Sequence, residues 1–232
     1  MRYSASLVIV ALFGFFLYHN LQPKPVNTSK EGLVLESILS TVQAVHLDPK
    51  PIDDTFSETL FDDFIKKLDP SKIFLTKKEF EDLQKSKFLI DDQVNARTFE
   101  FFEKSILLSE KSISRAKKIF EEEINKPFDF SKNETIETDR EKRQYAKDES
   151  ELRKLWMQEL KFDILQTWTS KKSAQEKNEK KDEVKTDEEL KAQAVIDVKK
   201  RFENYFKRLG EDRKSTRLNS SHVKRSRMPS SA

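Results

Sequence analysis

The sequence contains no cysteine and only three glycines in 232 residues. Without thiols there is no disulfide framework, no thiolate metal site and no cysteine nucleophile. Glycine is confined to Gly14, Gly32 and Gly210, which leaves little from which to build hairpin turns, phosphate-cradling loops or a strand-to-helix nucleophile elbow. Histidine is equally scarce. His19 borders an apolar segment, His222 lies in an atypical tail, and His46 stands alone at a helix end, where a hydrogen-bonding side chain serves the free carbonyls. No H-x-x-x-H or H-E-x-x-H spacing occurs, so nothing supports a zinc hydrolase. No stretch alternates at period two over the length of a strand.

Charged and apolar residues are abundant instead. They make up 37% and 36% of the chain, the balance of long solvated helices that each bury one stripe. Eighteen phenylalanines supply much of the core. The expected fold class is all-α, a multi-helix bundle-like domain.

Met1-Arg2 and the apolar run from Ser6 to Tyr18 predict export. Residues 1–21 read as a signal peptide or a membrane anchor, and the run is short for a bilayer span. Residues 22–30, with two prolines, read as a linker.

The net charge of +3 comes from the other end. From Asp212 onward there are six basic residues and one acid; without them the body carries −2. This tail has no apolar periodicity and resembles the conceptual translation of a sequencing-library adapter. Residues 211–232 are therefore expected to be non-native, with Gly210 breaking the last helix. A nucleic-acid or lipid-headgroup role would rest on these residues alone, and none is assigned.

Between the two ends, residues 31–210 read as one helical domain. Val34, Ile38, Val42 and Val45 mark a first helix, stopped by Leu47-Asp48-Pro49-Lys50-Pro51. A second follows Asp53 or Asp54, with Phe56, Leu60, Phe61, Phe64, Ile65 and Leu68 as its stripe, and ends at Leu68-Asp69-Pro70. Thr76-Lys77-Lys78-Glu79 fits a capping box, opening a short helix with Phe80 and Leu83 inward. The longest pattern runs from Ala96 to Ile124 through Phe99, Phe102, Ile106, Ile113, Ala116 and Phe120. Another, from Lys147 to Trp168, lines up Leu152, Trp156, Leu160 and Ile164. Residues 171–185 are a charged loop or a helix extension without a packing face. Leu190, Ala194, Val198, Phe202, Phe206 and Leu209 then mark the last helix.

No catalytic residue, cofactor or metal ligand emerges from this pattern. The acidic pairs Asp53/Asp54, Asp62/Asp63 and Asp91/Asp92 point to different helix faces and read as caps and solvated surface. Trp156 and Trp168 share the helical register of the core and read as packing residues.

Two segments carry a resemblance. In the first, Leu68, Asp69, Pro70, Lys72, Phe74 and Leu75 form an LDP-x-K-x-F-L turn. In the second, Phe128-Asp129-Phe130 is followed by the acidic-arginine pair Asp139-Arg140 and by Glu151, Leu152, Leu155 and Trp156. In order and spacing they resemble the amino-terminal domain of carboxy-terminal processing, or tail-specific, proteases over residues 31–210. The LDP turn would reverse the chain, and the aromatics would anchor the bundle against a neighbour.

The resemblance implies an exported serine protease that cuts proteins near their carboxyl ends. Its PDZ domain and serine/lysine dyad lie downstream, so the part seen here would be an inactive scaffold shaping access of substrate or adaptor. It implies protein substrates, an adaptor as a further partner, no nucleic acid, and a periplasmic location with the N-terminus at the inner membrane. The rival reading is a free-standing membrane-anchored helical adaptor or chaperone-like protein.

Overall fold

The structure, a computed structural model, describes the backbone of residues 29–177 and 184–225, with side chains through Glu211. The apolar run at Ser6–Tyr18 lies outside the described residues. Among these, no helix is long and apolar enough to cross a membrane.

The domain is all-α. Helices α1 (Lys30–Val45), α2 (Asp54–Leu68), α3 (Lys77–Gln84), α4 (Ile90–Ala96), α5 (Glu100–Glu123), α6 (Glu149–Lys177) and α7 (Asp187–Arg225) follow one another. The described residues hold no strand, only one isolated parallel bridge between Thr76 and Ala146. Side-chain caps start most of the helices by accepting free backbone N–H groups. Ser29 accepts from Gly32, Asp53 from Phe56, and Thr76 and Glu79 form the expected reciprocal capping box. Thr186 and Glu189 form a second such box at α7, with Thr186 N–H donating to Glu189 Oε2 at 2.7 Å and Glu189 N–H to Thr186 Oγ1 at 3.2 Å.

Side chains gather into two hydrophobic clusters. The larger joins the second half of α5 to α6 and α7, around Phe120, Leu152, Trp156, Leu160, Ile164, Val198 and Phe206. The smaller joins α2, α3, α4 and the start of α5 around Phe61, Ile65, Leu83, Ile90 and Phe101. The α6 and α7 stripes stand as read from periodicity. Ser57 of α2 ties α4 in place: its hydroxyl donates to Asp91 Oδ1 and accepts the Asp91 N–H, both at 2.7 Å.

Four readings from periodicity need correction. The pattern expected to start at Ala96 is interrupted: Ala96 ends α4, Arg97 takes a left-handed φ of 59°, and α5 begins at Glu100. Within α5 the buried line is Phe101, Ser105, Ser109, Ser112 and Ala116, and Phe102 faces outward. Three in this line are serines, with the Ser105 and Ser112 hydroxyls donating to the helix's own carbonyls of Phe101 at 2.7 Å and Ser109 at 3.0 Å, and a count of apolar residues alone passes over them. Glu123 is buried too, because Lys126 at 2.9 Å and Arg153 at 2.6 Å neutralise it.

The α1 stripe is not buried: Val34, Ile38, Val42 and Val45 all face outward. Gly210 does not break the last helix, which runs through it to Arg225. One glycine costs only about 1 kcal/mol against alanine in a helix, too little to end one. The charged segment takes the second of its two expected forms at its start, a helix extension that carries α6 to Lys177. Gln175 then pairs with the Lys185 backbone at 2.9 and 3.0 Å, and residues 178–183 lie outside the described part.

Candidate functional site

The loop between α2 and α3 is the point through which both clusters are connected. Pro70 denies α2 a further amide, and Asp69 becomes its C-cap with an extended φ of −141°. The Asp69 carboxylate, only 2% exposed, then accepts three consecutive backbone N–H groups. Ile73 donates to Oδ1 at 3.0 Å; Phe74 and Leu75 donate to Oδ2 at 3.0 and 2.9 Å. Burial pushes the carboxyl above its usual range, opposed by these donors and by Lys72. Lys72 sits at φ 53°, the left-handed turn the loop needs.

Side chains from distant segments satisfy the loop's carbonyls. Arg143 Nη1 donates to Ser71 O at 3.0 Å, Trp156 Nε1 to Ile73 O at 2.7 Å, and Arg115 Nη2 to Phe74 O at 2.7 Å. In return Lys72 Nζ donates to the Arg143 carbonyl at 2.6 Å and the Glu141 carbonyl at 3.2 Å. Lys77 N–H closes onto Ala146 O at 2.7 Å. Each such bond contributes about 1 kcal/mol net, but losing one partner strands a buried polar group at about 1–3 kcal/mol.

The two paired segments are extended, so successive side chains point to opposite sides. Phe74 enters the larger cluster and Leu75 the smaller; Ala146 enters the larger and Tyr145 the smaller. Phe74 meets Trp156 edge-on at 6.0 Å, while Tyr145 stacks on Phe80 at 4.7 Å. Burial, and then the nearby Asp69 charge, push the Tyr145 phenol up.

Two charged clamps flank the loop. Arg115 grips Glu79 with both Nη atoms at 2.8 Å and lies 3.4 Å from Glu149. Burial pushes the Glu79 carboxyl up, but the Arg115 fork and the Thr76 donors outweigh it and hold it below the usual range. Arg143 lies 2.5 Å from Glu159 Oε1, a charge contact without an aligned hydrogen bond, because its N–H groups point to Ser71 O and Glu137 O. Burial leaves the Glu159 carboxyl above its usual range even so.

The residues of the two sequence motifs do not all meet. Asp69, Lys72, Phe74 and Trp156 converge at the loop, with Leu152 buried on the same face of α6. Leu68 packs against the smaller cluster and Leu155 is half-buried, whereas Pro70 is exposed. Phe128 and Phe130 pack on the larger cluster, where Phe130 meets Trp168 at 5.9 Å and lies 4.6 Å from the Lys191 ammonium. Asp129 is exposed and turns back to Ser131 at 2.6 Å. Asp139 and Arg140 are exposed, and the buried arginine is Arg143, three residues later. Trp156 is completely enclosed by this domain, so it anchors the bundle to itself and not to a neighbour.

Arg115, Arg143 and Glu159 had no sequence signal to separate them from the many other charges. Glu79 was visible as a cap, but its arginine was not. As chemistry, the cluster holds backbone in place: its carboxylates are taken up by amides and guanidinium groups, and the one hydroxyl beside Glu79, that of Thr76 at 3.1 Å, belongs to the helix cap. Among the described residues no group of three His, Cys, Asp or Glu is placed to hold a metal ion.

This loop, its clamps and the two helical clusters all fall inside one family match. The model of the tail-specific protease N-terminal domain aligns with residues 38–220. A tail-specific protease of Haemophilus influenzae is 28% identical over 153 residues, 61% of this chain and 21% of that protein. The chain thus matches about a fifth of the length of that curated relative. With most of its length covered by the family model, from within α1 through the junction and into α7, the chain belongs to the tail-specific protease N-terminal domain family.

Proposed function

We propose that this chain is the amino-terminal helical domain of an exported serine protease that degrades or processes proteins from their carboxyl ends. In this reading the domain is an inactive scaffold that shapes access of protein substrates, or of an adaptor, to PDZ and catalytic domains further along the parent polypeptide. It works in the periplasm, with residues 1–21 serving as signal or inner-membrane anchor.

The observation carrying this reading is the pairing of a family match over residues 38–220 with coverage of only 21% of a relative described as a protease. The local chemistry agrees with a scaffold: the best-connected residues bind backbone carbonyls and amides. The gene beyond this sequence provides the test. PDZ-like sequence followed by a serine-containing catalytic segment is expected; a stop codon near residue 210 would sink the reading in favour of a free-standing adaptor. The purified 232-residue chain should leave unstructured protein substrates uncut.

A further inference from the structure

The outer face of α1 lacks what every other solvent-facing helix surface here has in quantity, which is charge. From Ser37 to Leu47 there is no Asp, Glu, Lys or Arg, in a chain that is 37% charged. Val34, Ile38 and Val45 are 51%, 54% and 77% exposed, and Leu47 is fully so. The inner side is already seated: Gly32 is buried and Glu36 is paired with Arg97 at the end of α4. A contiguous exposed aliphatic face of this kind marks a contact surface.

We infer that this face is the seat of the carboxy-terminal remainder of the parent polypeptide, which docks on it through a complementary uncharged surface. The inference rests on the protease reading above. The matched relative is covered over only 21% of its length, so a large body of chain is available to occupy the face. A helix of 16 residues is about 24 Å long, and one such face falls short of the roughly 800 Å² per partner that a stable complex of separate chains needs. A covalently linked occupant does not need that area, because the tether supplies a high effective concentration. A lipid surface fits poorly: the face has no Trp, Tyr or Phe, and no Lys or Arg lies among its exposed aliphatics.

The test uses the complete parent polypeptide with a photoreactive p-benzoylphenylalanine at Ile38 and, as control, at Lys117 on a charged face of α5. Photoproducts joining position 38, but not 117, to peptides of the parent downstream of residue 210 are expected. Products with lipid or a second copy, or none beyond the domain, would overturn the inference while leaving the protease reading intact. A reading frame that stops near residue 210 would sink both. As a second measurement, Ile38→Ser with Val42→Ser should leave the unfolding midpoint of the 232-residue chain unchanged and lower that of the parent by several degrees; equal shifts in both would also overturn it.

Discussion

The indole of Trp156 donates to the backbone carbonyl of Ile73 at 2.7 Å, across 83 positions of sequence. The bond ties the first half of α6 to the loop between α2 and α3, whose next residues, Phe74 and Leu75, part into the two clusters. Trp156→Phe keeps a large apolar ring but strands the Ile73 carbonyl. Urea denaturation should show a loss of about 1–3 kcal/mol, with Trp156→Ala costing more, about 3–5 kcal/mol. Equal stability of wild type and Trp156→Phe would mean that the bond contributes nothing.

Arg143 and Arg140 offer a sharp contrast three residues apart. Arg143 is 8% exposed, bonds Ser71 O and Glu137 O and faces Glu159, whereas Arg140 is exposed. Arg143→Ala leaves the half-buried Glu159 carboxylate and the Ser71 and Glu137 carbonyls without their partner and should cost about 3 kcal/mol. Arg140→Ala should stay within about 0.5 kcal/mol of wild type. Thermal or chemical unfolding of the two variants checks the difference, and similar losses would contradict the placement of the two side chains.

Lys72 combines a left-handed backbone with two tertiary hydrogen bonds from its ammonium group. Lys72→Ala loses the bonds and keeps the unfavourable φ; Lys72→Gly loses the bonds but adopts that φ freely. The glycine variant should therefore be the more stable of the two by about 1 kcal/mol. The reverse order would show that the left-handed turn is not maintained.

Glu79 gives the junction an acid-sensitive component. Its folded-state carboxyl is held below the ordinary value of 4.5 by Arg115 and Thr76, against burial. The ionised form thus stabilises the fold above pH 4.5, and the contribution disappears as pH falls through the lower folded value. Unfolding curves for wild type and Glu79→Gln should differ most near neutral pH and converge as the pH drops below about 4.5. A constant gap down to pH 2 would rule this linkage out.

How much of this was legible from sequence differs from one element to the next. The stripes of α6 and α7 were readable because each is a long helix with one deeply buried apolar line, and period 3.6 alone locates such a line. In α5, Ala116 and Phe120, with Ile124 at its end, are buried as their spacing predicts, but the first half is turned differently because its buried line is made largely of serines. Helical periodicity also picked out α1 correctly, yet its apolar face is exposed, since periodicity reports that a face is apolar and not what covers it. The motif residues divide in the same way: Asp69, Lys72 and Trp156 converge, whereas Asp139 and Arg140 lie at the surface while Arg143 does the buried work.

By itself, then, the order of residues determined the helices, their caps, the proline-enforced turn at Asp69 and the resemblance to a protease amino-terminal domain. These are local properties, set by φ restriction, side-chain caps and helical spacing. Only the tertiary structure decided that Phe74 and Leu75 part into different clusters, and that Arg115, Arg143 and Trp156, drawn from across 41 to 83 positions, satisfy one loop. The reason is physical: a buried carbonyl must find a donor, and which donor it finds depends on how whole helices pack, which no short stretch of sequence records.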